Sequence, residues 1–202
     1  MEDGPVTLGT RLSCSKFPGG YDAISYGRGT WLFHMLRFMM RDAERISGAR
    51  VPGDGKAERG EPFVRVLLRI RERYQGKPIT TRELVQAFEE ELPPSLWYEH
   101  HKSLDWFYEG WLNGTAIPRF ELHGVKYSDK PSSTTISGVI LQKDAPDNLV
   151  TPVPLYASVA GKAVLLGRVF ADGPETPFQL TASPGTRRIV LDPDQTLLAR
   201  PR

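Results

Sequence analysis

Tyr21-Asp22-Ala23-Ile24-Ser25-Tyr26-Gly27-Arg28-Gly29 runs directly into Thr30-Trp31-Leu32-Phe33-His34-Met35-Leu36-Arg37. The first part holds two tyrosines five residues apart and closes on a Gly-Arg-Gly hinge, where Gly27 lets the backbone turn sharply. The second part is strongly apolar. From about Ser25 the pattern turns helical. Thr30, His34, Arg37 and Arg41 recur at spacings of four, three and four, forming one polar stripe. The remaining positions are Trp31, Leu32, Phe33, Met35, Leu36, Phe38, Met39 and Met40. A helix that is apolar over most of its circumference is buried on most sides, so this one belongs to a domain core. It runs to about Ile46 and stops at Ser47-Gly48. The helices around it are short and leave part of it uncovered. Taken alone, Tyr26 reads as a buried tyrosine with a satisfied hydroxyl.

Before this stretch, residues 1–20 read as loop, with Gly, Pro and Ser throughout and one short apolar run over 6–12. Pro18-Gly19-Gly20 breaks the chain just ahead of Tyr21. After it, residues 49–60 form a polar, Gly-rich loop. Residues 62–74 carry Phe63, Val64, Leu67, Ile70 and Tyr74 at helical spacing, with Pro62 suited to a first helical position. Thr80-Thr81-Arg82-Glu83 has the form of a capping box and starts a helix with Leu84, Val85 and Phe88. A fourth helix, in one or two pieces, covers 96–112 and is dense in aromatic residues.

At Asn113-Gly114-Thr115-Ala116-Ile117-Pro118 the period changes from helix to strand. Short runs follow at 119–127, 134–142, 153–158, 163–170, 177–181 and 187–191, separated by Gly-, Pro-, Asp- and Ser-containing turns. This spacing predicts a small antiparallel β-sandwich beginning near Pro118. Asn113-Gly114-Thr115 matches a glycosylation sequon, but its place at a helix end reads as a turn.

Composition narrows the function class. With 26 Lys and Arg against 24 Asp and Glu in 202 residues, the chain has no basic excess of the kind that marks nucleic-acid binding. The basic run 65–73 reads as a solvated helix face. Cys14 is the single cysteine, so no internal disulfide forms and the compartment stays undecided. It has no visible partner base and reads as inert. No segment reaches the ~18 apolar residues of a membrane span, and the N-terminus has no signal-peptide pattern. His34, His100, His101 and His123 include no pair at i, i+4, the spacing that sets two imidazoles on one helix face for a metal. His34 reads as a hydrogen-bonded structural residue, and His100 and His101 as surface.

The order of these features resembles the C-terminal part of a gluzincin zinc aminopeptidase, the family of membrane alanyl aminopeptidase. The resemblance covers nearly the whole chain. Tyr21-x-x-x-x-Tyr26-x-x-Gly29 before a helix with Met35-Leu36-Arg37 is similar to the family's tyrosine motif. Thr80-Thr81, Leu104-Asp105-Trp106-Phe107, Trp111-Leu112 and Pro118 follow in the family's order, and the closing strands with Leu191-Asp192-Pro193 resemble its immunoglobulin-like domain. The resemblance implies an α+β chain in two parts. Residues 1–117 would be the helical end of a thermolysin-like catalytic domain, and residues 118–202 an immunoglobulin-like antiparallel β-sandwich. It also implies a parent that removes N-terminal residues from peptide substrates with a bound zinc. No zinc ligand or other cofactor site is expected in this chain. The H-E-x-x-H helix, the later glutamate ligand and the amine-binding segment would belong to the upstream catalytic half of the same polypeptide. By match to the motif, Tyr26 would be the catalytic donor to the carbonyl oxygen as negative charge builds there. Tyr21 would line the substrate pocket. Arg28 stands where the family more often has lysine. The chain alone is then expected to be inactive.

A different class fits the same residues: a non-catalytic, peptidase-like scaffold using helices and β-sandwich as an interaction surface. A self-standing β-sandwich binding module with a helical adaptor is a third reading, and no aromatic sugar platform on the strands favours it. The parent's sequence ahead of Met1 separates the first two.

Overall fold

The computed structural model describes residues 4–14, 16, 19–47, 60–159 and 161–201, with Cys14 lacking a described side chain. The reactivity of Cys14 and nearly all of the 49–60 loop therefore lie outside the described residues. The chain divides into two compact units, Met1–Thr115 and Ala116–Arg202. Helices make the first and antiparallel sheets the second, a mixed α+β chain.

The helical unit opens with a 3-10 segment, Val6–Cys14, kinked at Gly9 (φ 53°, ψ −130°). This corrects the expected loop. Leu12 is buried, so the short apolar run gains enough from the core to order its backbone. Helical backbone then begins at Gly20, earlier than the expected Ser25. Asp22–Arg28 is a π-helical stretch and leads without a break into α1, Gly29–Ile46. The hinge expected at Gly27 is absent. Gly29 sits at φ −56°, ψ −45°, and a Cβ on Gly27 would come no nearer than 3.9 Å to the Asp22 carbonyl. The chain accommodates this segment by widening a helical turn, not by bending.

α1 buries Leu32, Met35, Leu36, Met39, Met40, Asp42 and Ala43. Its burial is one-sided: Trp31 and Phe33 are each 38% exposed. The expectation of burial on most sides fails at these two positions. The expectation of incomplete cover by short neighbouring helices holds there.

α2 spans Pro62–Tyr74 with Pro62 in its first turn. It buries Phe63 and Val66 and half-buries Val64, Ile70 and Tyr74, so the expected stripe holds except at Leu67, which is exposed while Val66 takes its place inside. The Phe33, Phe63 and Phe88 rings meet at centroid distances of 5.4–6.4 Å, edge-on or tilted as aromatic quadrupoles favour. α3, Thr81–Glu90, starts at a complete capping box. The Thr80 hydroxyl accepts from the Glu83 N–H, and the Glu83 carboxylate accepts from the Thr80 N–H.

The expected helix over 96–112 is broken into a 3-10 turn Pro94–Leu96, a short α4 (Asp105–Phe107) and a second π turn, Tyr108–Leu112. Glu99 (φ 49°) and His100 (φ 64°) take left-handed backbone in a tight turn that bridges Tyr98 to His101. A helix cannot pass through two such residues. Restart is fixed by the Glu89 carboxylate, which accepts from the Leu104 N–H at 2.7 Å, and by the Ser103 hydroxyl, which accepts from the Asp105 N–H.

In the second unit the strands are β1 (Arg119–Lys130), β2 (Ser133–Lys143), β3 (Val150–Val159), β4 (Lys162–Asp172), β5 (Glu175–Ala182) and β6 (Ile189–Leu191). Each expected run becomes a strand. They form two antiparallel three-stranded sheets, ordered β1-β2-β5 and β4-β3-β6. β1 shifts register between His123 and Lys126, at Gly124, whose φ of 60° suits a glycine in a bulge. The core gathers Phe120, Ile136, Ile140, Val153, Leu155 and Leu191. Buried Gln142 is satisfied at both ends of its amide. It donates to the Leu149 carbonyl at 2.7 Å and accepts from the Thr151 hydroxyl at 3.1 Å. β3 is buried along nearly its whole length, and Pro152 and Pro154 lie in the half that precedes its ladder with β6 at 155–157. Among the described residues, no helix is long and apolar enough to cross a membrane.

Candidate functional site

The π turn decides the geometry of the tyrosine pair. In a regular α-helix, residues five apart point about 140° away from each other. A π turn closes i→i+5 hydrogen bonds instead, as when the Gly29 N–H donates to the Ile24 carbonyl. That setting stacks residue i over i+5 and brings the two rings together. Tyr21 and Tyr26 meet edge to face, with centroids 5.8 Å apart and planes at 87°. Tyr21 is half-buried, while Tyr26 is 64% exposed. Tyr26 is thus not the buried tyrosine that its position alone suggested. The Tyr21 phenol is pushed above its ordinary pKa, first by charge repulsion from Tyr26 and then by a hydrogen bond with it.

Arg28 is the residue that sequence reasoning missed. It is 3% exposed. Its Nη2 donates to the Trp111 carbonyl at 3.1 Å and its Nη1 to the Thr115 carbonyl at 3.5 Å. Its guanidinium also lies 5.9 Å from the Trp111 ring centroid. The Trp111 carbonyl sits at the C-terminal end of the second π turn and Thr115 three residues beyond it, where backbone acceptors lose their helical partners and a cation is favoured. Burial pulls the Arg28 pKa below its ordinary value. A signal was present in the sequence. Position 28 falls on the stripe Ile24, Leu32, Met35 and Met39, all buried, so an arginine there must find partners inside.

Beyond the pair, the outer face of α1 carries Thr30, Trp31, Phe33 and Arg37, all exposed. His34 is half-buried between Trp31 (5.3 Å) and Phe38 (4.4 Å) as part of a ring stack, and Arg41 caps the stack 3.9 Å from the Phe38 centroid. Arg37 holds Glu61 through Nε and Nη2 at 2.9–3.2 Å, fixing the entrance to α2. The polar stripe read from the sequence is therefore an outward face, and the aromatic residues beside it share that exposure.

His100, His101 and His123 are exposed. Among the described residues, no three His, Cys, Asp or Glu side chains gather as a metal would need. An open groove of about 350 Å³ lies between Tyr98, Glu99, Asp105, Trp106 and Glu109. Two of its acids are engaged by Arg82, Asp105 at 2.7 Å and Glu109 at 3.7 Å. The site with chemically specific geometry is the tyrosine pair on its widened turn. No known protein-family model matches the chain, and no curated protein matches it.

Proposed function

We propose that this chain is the C-terminal part of a zinc-dependent aminopeptidase. In this reading Tyr26 is the oxyanion donor, Tyr21 is a wall of the substrate pocket, and the peptide is the substrate. The helical unit is read as the end of a thermolysin-like catalytic domain and the β unit as an immunoglobulin-like domain. The observation that carries the reading is the pair itself: an exposed phenol, braced edge to face by a second phenol, at the head of a helix whose outer face stays open.

A phenol suits the task because it titrates near ~10 and so keeps its O–H donor at neutral pH. As a nucleophile adds to the scissile carbonyl, the Tyr26 O–H donates to the oxygen on which charge develops. A donor fixed in advance needs no reorganisation at that moment. Ring contact with Tyr21 limits where the Tyr26 hydroxyl can go. Among the described residues no group of side chains fits a zinc site, so in this reading the metal would be held by the upstream half of the polypeptide.

The test is made on the polypeptide that includes the upstream half. Tyr26→Phe is expected to lower turnover of an aminoacyl-arylamide by about 10²–10³ with KM little changed, the loss typical of one oxyanion donor. Unchanged turnover removes Tyr26 from the mechanism. An upstream sequence lacking H-E-x-x-H replaces the enzyme reading with that of a peptidase-like scaffold. The 202-residue chain alone is expected to show no chelator-sensitive hydrolysis.

A further inference from the structure

We propose that Arg28 is a positioning residue for the tyrosine pair: its guanidinium, pinned on the Trp111 and Thr115 carbonyls, holds the Asp22–Arg28 turn in its widened register and so keeps Tyr21 and Tyr26 face to edge. The functional meaning of the pair rests on the aminopeptidase reading, but the positioning claim is tested without any activity.

Three observations converge on this. Arg28 is the last residue of the π stretch, two residues after Tyr26. It is nearly fully buried, and it donates to the backbone carbonyls of Trp111, on the other π turn, and Thr115, three residues past that turn's end, both far off in sequence. A side chain gripping main-chain oxygens cannot be displaced by a rotamer change on the other side. The anchor therefore fixes the height and rotation of residue 28. Relaxation of the turn to ordinary α geometry would have to rotate the preceding residues against that anchor, and it would swing the Tyr21 ring away from Tyr26, since i and i+5 diverge in an α-helix.

The experiment uses the full 202-residue chain labelled with ¹³C at tyrosine Cζ and in the rings. Parent, Arg28→Met and Arg28→Lys chains are compared for Tyr21–Tyr26 inter-ring cross-peaks and for the Tyr21 titration midpoint. Circular dichroism checks folding. Arg28→Met should lose most of the cross-peak intensity and return the Tyr21 midpoint toward that of an ordinary tyrosine. Arg28→Lys, which keeps a cation on the same carbonyls, should restore both. If Arg28→Met does not fold, the same readings are taken on Arg28→Gln, whose amide keeps one donor, and weakened cross-peaks are expected. A merely structural arginine would lower the melting temperature and leave both readings unchanged. That result in any folded neutral variant overturns the proposal, as does a lysine variant that behaves like methionine. Failure here removes Arg28 but leaves Tyr26 to its own turnover test. Failure of the turnover test leaves the Arg28 geometry standing.

Discussion

The two units finish their surfaces differently. Among the described residues of the β unit the large exposed apolar ones are Val159 and Val164, both flanking the β3–β4 turn, and the core there is closed by its own strands. In the helical unit Tyr26, Trp31, Phe33, Ile46, Leu67 and Leu68 are exposed, with Trp31, Phe33 and Ile46 on α1 and Tyr26 on the π stretch that leads into it. A sheet pair buries two facing surfaces against each other and needs nothing else. A long helix with apolar residues around most of its girth needs neighbours on several sides, and short helices supply them on one. The open face follows from the composition of α1, and the tyrosine pair sits on the widened turn that leads into it.

The largest effects should fall where both units are closed. Ile140→Ala in the β unit and Met39→Ala in α1 each remove a fully buried side chain and should each cost about 2–5 kcal/mol, read from urea titration. All four tryptophans lie in the helical unit, at 31, 97, 106 and 111, so fluorescence follows that unit specifically. Equal costs would show that the helical core is as tight as the β core despite its open side. Next comes Gly114→Ala. A Cβ there would sit 2.0 Å from the Gly110 carbonyl oxygen, so backbone must move at the end of the second π turn, at about 1–3 kcal/mol. The same movement should disturb the Thr115 acceptor and weaken the tyrosine cross-peaks.

Smaller still is the capping box. Thr80→Ala should cost about 1 kcal/mol. Glu83 has its pKa lowered by the Thr80 N–H and hydroxyl. Its contribution is therefore fully present above the unfolded-state value and is lost as acid protonates it, below about pH 4. The alanine variant should show a shallower acid loss of stability than the parent. Smallest of all, Trp31→Ser should change stability by no more than about 0.5 kcal/mol. A loss several times larger would break the comparison, because it would mean that this face is covered in solution.

Strand positions were the most legible part of the fold, because short β-branched and aliphatic runs between turn residues have few other conformations open to them. The capping box was equally readable, since it depends on four local residues. The helical unit was read well in its periodic middle and poorly at its special turns. Nothing local to Glu99 and His100 announces left-handed backbone, and an i→i+5 turn leaves no mark in a hydrophobic pattern built on a period of 3.6. The site followed the same division. Tyr21 and Tyr26 stood out as residue types, but their contact depends on that unannounced turn. Arg28 drew notice only as a departure from lysine, because its acceptors are carbonyls more than eighty positions away and main-chain oxygens have no sequence signature.

Pro152 and Pro154, two residues apart on β3, carry a consequence for how that strand can be altered. Residues two apart in a strand direct their main-chain groups to the same edge, and proline brings no hydrogen to that edge. The Pro154 oxygen faces the β6 side, where it accepts from the Asp192 N–H. Ahead of that point the ladder with β6 has not begun, yet the strand is buried. Any other residue at these two places would bring a hydrogen into the interior that must find an acceptor there. The strand also offers no row of donors on which a foreign strand could assemble. At these two positions even alanine, which is smaller, would be an addition to the structure.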